Sequence, residues 1–193
     1  MEICLIRHGE TDWNKLSKLQ GRKDIELNKN GIIQANACAD YLNNTPFELI
    51  ITSPLKRAKQ TAKIIAERKR LPLIEMQEFI ERNYGDAEGM TVEECQIKFP
   101  DRQYPNQESK EDVRKRVMNG LQQIQKEHKA SNIILVAHGG VINSILAMLS
   151  NNEIGSGKTK LANACLSTIY YDQGIWKIKN FNEIGHLNVN SQE

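Results

Sequence analysis

The stretch Glu2-Ile3-Cys4-Leu5-Ile6-Arg7-His8-Gly9 decides how this chain is read: an apolar run of strand length stops on a cation, an imidazole and a glycine. A short apolar run bounded by turn residues reads as a strand buried on both faces. Strands of that kind belong to parallel sheets covered by helices. The pattern recurs at Ile133-Ile134-Leu135-Val136-Ala137-His138-Gly139. Ligands of open α/β sheets bind outside the carboxyl ends of the strands, so His8 and His138 are expected on one edge of one sheet.

Working outward, strands and helices alternate. Asn28 can cap a helix over Lys29 to Leu42, although Gly31 in its first turn weakens local propensity. Phe47 to Thr52 reads as a second strand. Ser53-Pro54 reads as a helix start, with serine as cap and proline at the first helical position. Behind it Leu55, Ala58, Ala62, Ile65 and Ala66 share a face. A third strand is expected at Leu73 to Met76, an amphipathic helix at Lys110 to Lys126 and an apolar one at Val141 to Leu149. Leu166 to Tyr171 and Ile175 to Phe181 read as strands joined by Asp172-Gln173-Gly174 in a hairpin-like connection. The alternation implies an α/β fold, a three-layer αβα sandwich with a mainly parallel central sheet. We expect one domain over 1–193. The polar stretch Glu81 to Ser109, with a helical segment at Val92 to Phe99, is long for an internal loop, so a lid or specificity region is expected at 83–110.

Composition narrows the function classes. With 39% hydrophobic and 26% charged residues the chain is an ordinary globular protein, and a net charge of +2 gives no electrostatic footprint for nucleic acid. No apolar run approaches the roughly 18 residues of a membrane span. The β-like start leaves no room for a secretory leader, so a cytoplasmic location is expected. Cys4, Cys38, Cys95 and Cys165 lie far apart without a C-x-x-C pair, which suits free buried thiols.

The strand ends carry the chemistry. Arg57 falls in the first turn of the helix after Thr52, where the helix N-terminus also favours an anion. Arg7, Arg57, His8 and His138 would form a cationic pocket suited to a phosphate dianion, because the guanidinium fork binds two oxygens and does not titrate away. A neutral imidazole is a competent nucleophile near neutral pH. A carboxyl group could give a proton to the leaving oxygen and later take one from water. Spacing leaves Glu78, Glu81, Asp86 and Glu88 as rivals for that role.

Four runs, Arg7-His8-Gly9-Glu10-Thr11-Asp12-Trp13-Asn14, Ser53-Pro54-Leu55-Lys56-Arg57-Ala58, Glu81-Arg82-Asn83-Tyr84-Gly85 and Ala137-His138-Gly139, taken together and in order, resemble the histidine phosphatases, the superfamily that contains cofactor-dependent phosphoglycerate mutase. Within it the chain is most similar to the broad-specificity phosphatases of Bacillus type. The resemblance implies a phosphoglycerate mutase-like fold and phosphomonoester hydrolysis through phosphohistidine at His8, with no metal or other cofactor. It selects Glu81 as proton donor and acceptor, gives Arg7, Arg57 and His138 to the phosphate pocket, and adds Asn14, Gln20, Gly21 and Gly139 as substrate-binding positions. The implied partner is a small phosphorylated metabolite, and the protein a monomer or homodimer. A mutase shares every catalytic residue and is the alternative; an inactive phospho-ligand binding domain is another.

Several features are assigned no chemistry. His128 near a helix end is read as solvated, and His186, in a polar tail, is given no role. The basic residues flanking Arg57 on its helix are read as a solvated face. Gly155-Ser156-Gly157-Lys158-Thr159 lacks the first glycine of a phosphate-binding P-loop, where Asn152 stands, and follows a helix instead of a strand. A metal bound by His8, His138 and Glu81 would be repelled by the two arginines.

Overall fold

The computed structural model describes residues 1–129 and 131–187. Six strands form one sheet in the order β3-β2-β4-β1-β5-β6. The strands are β1 (Glu2–Arg7), β2 (Leu49–Thr52), β3 (Leu73–Glu75), β4 (Asn132–Ala137), β5 (Leu166–Asp172) and β6 (Ile175–Glu183). The first four are parallel, and β5 and β6 add an antiparallel hairpin beside β1. The hairpin turns through Gln173 (φ 47°) and Gly174 (φ 88°), both left-handed as a two-residue primed turn requires. The helices are α1 (Asp12–Lys15), α2 (Lys29–Tyr41), α3 (Lys56–Lys69), α4 (Val92–Lys98), α5 (Lys110–Glu127) and α6 (Gly139–Leu149). The expected α/β sandwich is thus observed, and no described helix is long and apolar enough to cross a membrane. Residues 130 and 188–193 of the expected 1–193 domain lie outside the described residues.

The central strands are apolar throughout because both their faces are covered. Ile3, Leu5, Ile133 and Leu135 pack with Val113, Val117, Leu121 and Ile124 of α5 and with Val141, Ile142 and Ile145 of α6. Their neighbours Cys4, Ile6, Ile134 and Val136 point the other way, onto Cys38 and Ala39 of α2 and Ala58, Ala62 and Ile65 of α3. This period-two division is what makes the domain three layers.

One expectation is corrected. Helix α3 starts at Lys56, with Leu55 as a cap residue lacking a side-chain bond, and not at Ser53-Pro54. Ser53 is drawn elsewhere, its Oγ lying 2.7 Å from His138 Nε2, while Asp24 Oδ1 from a distant loop accepts the Lys56 N–H at 2.7 Å. His186, to which the sequence gave no role, is 5% exposed, and its Nε2 lies 3.0 Å from the Ala164 carbonyl and 3.3 Å from Cys38 Sγ. All four cysteines are buried and free.

Asn28 caps α2 as expected, accepting the Gly31 N–H at 2.9 Å. Gly31 itself has a tertiary reason. A Cβ there would stand 2.1 Å from the Glu10 carbonyl oxygen, and one on Gly9 would stand 2.5 Å from the Gly31 oxygen. The loop carrying His8 is therefore pressed onto the first turn of α2. In an unencumbered helix Gly→Ala stabilises by about 1 kcal/mol. Here Gly31→Ala is expected to destabilise, by about 1–3 kcal/mol from overpacking, as read by urea unfolding; a stabilised variant would refute the close approach.

Candidate active site

His8 and His138 leave adjacent parallel strands at the same level, since Arg7 pairs with Ala137 and the His8 N–H donates to the Ala137 carbonyl at 3.0 Å. Their rings lie 5.2 Å apart, centroid to centroid, and both are buried. His8 Nδ1 is 2.7 Å from the Gly9 carbonyl oxygen. A carbonyl only accepts, so Nδ1 carries the proton and Nε2 is left with the lone pair. Burial, then the charges of Arg57 and Arg7, push the His8 pKa well below its usual value. The ring is neutral at pH 7.

The arginines are held by backbone oxygens and not by carboxylates. Arg57, 1% exposed, donates through NH1 to Lys23 O and through NH2 to Gly21 O, both at 2.8 Å. Arg7 donates through NH1 to Leu161 O. Burial lowers the pKa of both, that of Arg57 to about 10, which leaves them cationic at neutral pH. Among the described residues, Arg7 Nε, Arg57 Nε and His138 Nδ1 are buried without a partner. Ser53 Oγ accepts from Leu55 N–H at 3.3 Å and lies 2.7 Å from His138 Nε2. The site therefore holds two buried guanidinium N–H donors with nothing to donate to, beside an unpartnered imidazole nitrogen, which suits an oxyanion.

Of the four acidic rivals only Glu81 lines the 580 Å³ cavity that holds Arg7, His8 and Arg57. Its carboxylate accepts the Arg82 N–H at 2.8 Å and the Gly140 N–H at 3.0 Å. Glu88 instead accepts from Arg22 N–H and Tyr84 N–H, and Asp86 is exposed with Asn106. Burial raises the Tyr84 phenol pKa, so it stays protonated beside Glu81.

A profile of the Histidine phosphatase superfamily (branch 1) matches residues 3–184. The chain belongs to that superfamily. It is 45% identical, over 96% of each chain, to an uncharacterized phosphatase, PhoE, of Bacillus subtilis. It is 34% identical to a metal-independent phosphoserine phosphatase of Arabidopsis thaliana, over 96% of this chain and 83% of that protein. A mutant phosphoserine phosphatase of Entamoeba histolytica, crystallised with phosphoserine, superposes with a TM-score of 0.84 at 32% identity, covering 96% of this chain and 98% of that one.

In this histidine phosphatase the remaining expected positions also meet at the cavity. Asn14, Gln20, Gly21 and Gly139 line it, as do Tyr84, Val92 and Arg102 from the 83–110 segment. Asn14 Oδ1 accepts from Thr11 N–H, closing a capping box, which leaves its amide N–H groups for the cavity. Asn163 escaped the sequence reading: its Nδ2 donates to His8 O at 3.1 Å and to Asn14 Oδ1 at 3.1 Å, and no spacing marks it. Gly140 also escaped it, although the second glycine of His138-Gly139-Gly140 was the available signal. A Cβ on Gly140 would stand 2.5 Å from Glu81 Oε1, whereas one on Gly139 would meet Arg7 at an ordinary 3.6 Å.

Two outcomes follow. Gly140→Ala is expected to displace the Glu81 carboxylate and lower turnover about 10- to 100-fold in a folded protein, while Gly139→Ala changes it far less; equal effects would show that Gly140 is not a steric determinant. His8 and His138 are held neutral when folded, whereas unfolded histidine protonates below about pH 6.5, so stability is lost as pH falls through that value. Thermal melts at pH 7 and pH 5 should show a smaller drop for His8→Asn than for the wild type; an unchanged drop would exclude His8 as a contributor.

Proposed function

We propose that this protein hydrolyses small phosphomonoesters through a phosphohistidine on His8, with Glu81 exchanging protons and no metal required. The observation that carries the reading is the buried, neutral His8 imidazole, its Nε2 free, in one cavity with Arg7, Arg57 and Glu81. Nε2 attacks phosphorus, the ester P–O bond breaks, and Glu81 gives its proton to the departing alkoxide. Water then attacks the same phosphorus, Glu81 takes its proton, the N–P bond breaks and phosphate leaves. Arg7 and Arg57 neutralise the phosphoryl oxygens throughout, which is the charge a metal would otherwise supply, and the neutral His138 completes the pocket. Asn14, Gln20, Gly21 and Gly139 bind the phosphate or the leaving part of the substrate.

The names of the relatives support hydrolysis over mutase chemistry. The phosphoserine bound by the Entamoeba histolytica relative suggests a compact phosphorylated metabolite of that kind. The segment 83–110 places Tyr84, Val92 and Arg102 at the cavity wall, which supports it as the specificity region of a single domain. We place the enzyme in the cytoplasm.

His8→Ala is expected to abolish turnover of 4-nitrophenyl phosphate, and rapid quench of the wild type should trap an acid-labile phosphoenzyme that this variant lacks. Full activity in His8→Ala would sink the mechanism. Incubation with 3-phosphoglycerate, with and without 2,3-bisphosphoglycerate, should release free phosphate in both cases. Accumulation of the 2-phospho isomer would favour the mutase.

A further inference from the structure

Glu81 lies in a stretch with no helix or strand of its own, between a 3-10 turn at Gln77–Phe79 and another at Gly85–Ala87. No ladder of backbone bonds fixes it. Its neighbouring peptide groups are nevertheless held on both sides by side chains. Arg116, two turns into α5, donates through NH1 to the carbonyls of Glu78 at 2.7 Å and Ile80 at 2.6 Å. The rest of its guanidinium grips Glu108, with Nε 2.7 Å from Oε1 and NH2 3.0 Å from Oε2. Glu108 passes the constraint on: Oε2 accepts the Asn83 N–H at 3.2 Å, and the Glu108 N–H donates to the Asn83 carbonyl at 2.9 Å. Arg82 Nε donates to the Glu108 carbonyl at 2.8 Å. Arg22 closes the ring, its Nε 3.3 Å from the Glu81 carbonyl oxygen and its NH2 3.3 Å from Glu108 Oε2.

We propose that Glu108 and Arg116, completed by Arg22, form a clamp that sets the position of the Glu81 carboxyl, and so determine how well it delivers a proton to the leaving group. The clamp rests on the reading of Glu81 as the proton donor. None of its three members lines the catalytic cavity, so they act through the backbone of residues 78–83 and not on substrate. The arginine fork suits the task because it is planar and saturates its donors in fixed directions, which a lysine point charge does not. The pair is largely enclosed, at 12% exposure for the Glu108 side chain and 18% for Arg116, whereas Arg22 is 41% exposed. Burial alone would raise the Glu108 pKa; the bonds and charge of Arg116, with the Asn83 N–H and Arg22, hold it below its usual value instead. The clamp is therefore charged at neutral pH. A proton donor must reach hydrogen-bond distance of the oxygen it serves, and displacements near 1 Å cost rate steeply.

A merely structural role and a positioning role are separated by leaving-group dependence. 4-Nitrophenyl phosphate and phenyl phosphate have similar shapes, but phenoxide is the more basic leaving group and needs the proton more. kcat/KM reports events up to departure of that group. Glu81→Gln is expected to lower kcat/KM for phenyl phosphate at least about tenfold more than for 4-nitrophenyl phosphate. Glu108→Gln and Arg116→Lys should show the same selective loss, severalfold to about tenfold, with KM little changed. Arg22→Gln should show it weakly. Equal losses for both substrates in the clamp variants would overturn the proposal while leaving Glu81 as donor. Absence of selectivity in Glu81→Gln would overturn the donor reading and the clamp with it. If Glu108→Gln and Arg116→Lys fail to fold, the more exposed Arg22→Gln decides by the same ratio: selectivity supports the clamp and its absence refutes it.

Discussion

The pairing of β1 with β4, parallel and with Arg7 opposite Ala137, is the constraint from which the site descends. Side chains alternate along a strand, so a slip of one residue would turn Ile3 and Leu5 from the α5–α6 face onto the α2–α3 face and bury the wrong set throughout. Because both faces are covered, the core fixes that register. His8 and His138 then emerge side by side with no bond between their rings. The apolar interior thus places the two imidazoles, and the hydrogen bond to the Gly9 carbonyl only chooses which nitrogen of His8 carries the proton.

Against that apolar interior stands a cationic cradle that the free protein does not neutralise. Arg57 is as buried as a core isoleucine, and neither it nor Arg7 takes part in an ion pair among the described residues. Desolvating a cation costs several kcal/mol unless something compensates, and here compensation is partial, through the carbonyls of Gly21, Lys23 and Leu161. The phosphate dianion of the proposed reaction would complete it. Binding to the folded state alone also stabilises that state, so affinity and stability are linked through the same two side chains.

Close backbone approach is the second way the fold builds the site. Gly31 holds the His8 loop against α2, and Gly140 brings the start of α6 up to the Glu81 carboxylate. Local propensity counts both glycines as weaknesses of their helices. The tertiary structure makes each a point where a methyl group has no room.

Much was legible in the sequence because the signals are local. Two apolar runs ending in His-Gly fixed the strands and their common edge, since alternating burial and strand-end turns are written in consecutive residues. Asn28 declared its cap, and Val113, Val117, Leu121 and Ile124 declared the buried face of α5. The four ordered motifs named the superfamily, and with it Glu81. What the sequence misread, or left unseen, depends on residues far apart along the chain. Ser53 looked like a helix cap until His138, 85 positions away, was seen to take its hydroxyl. His186 had no assigned place until its contact with Cys38 of α2 was seen. Neither the Gly140 N–H bond to Glu81, across 59 positions, nor the grip of Arg116 on Ile80 leaves any trace in local spacing. The sequence by itself determined the layers, the strand ends and the place of His8 at one of them, because periodicity and turn chemistry are properties of neighbours. Only the tertiary structure decided which proton sits on which nitrogen and what holds the carboxyl in place, because those contacts exist only after the core has closed.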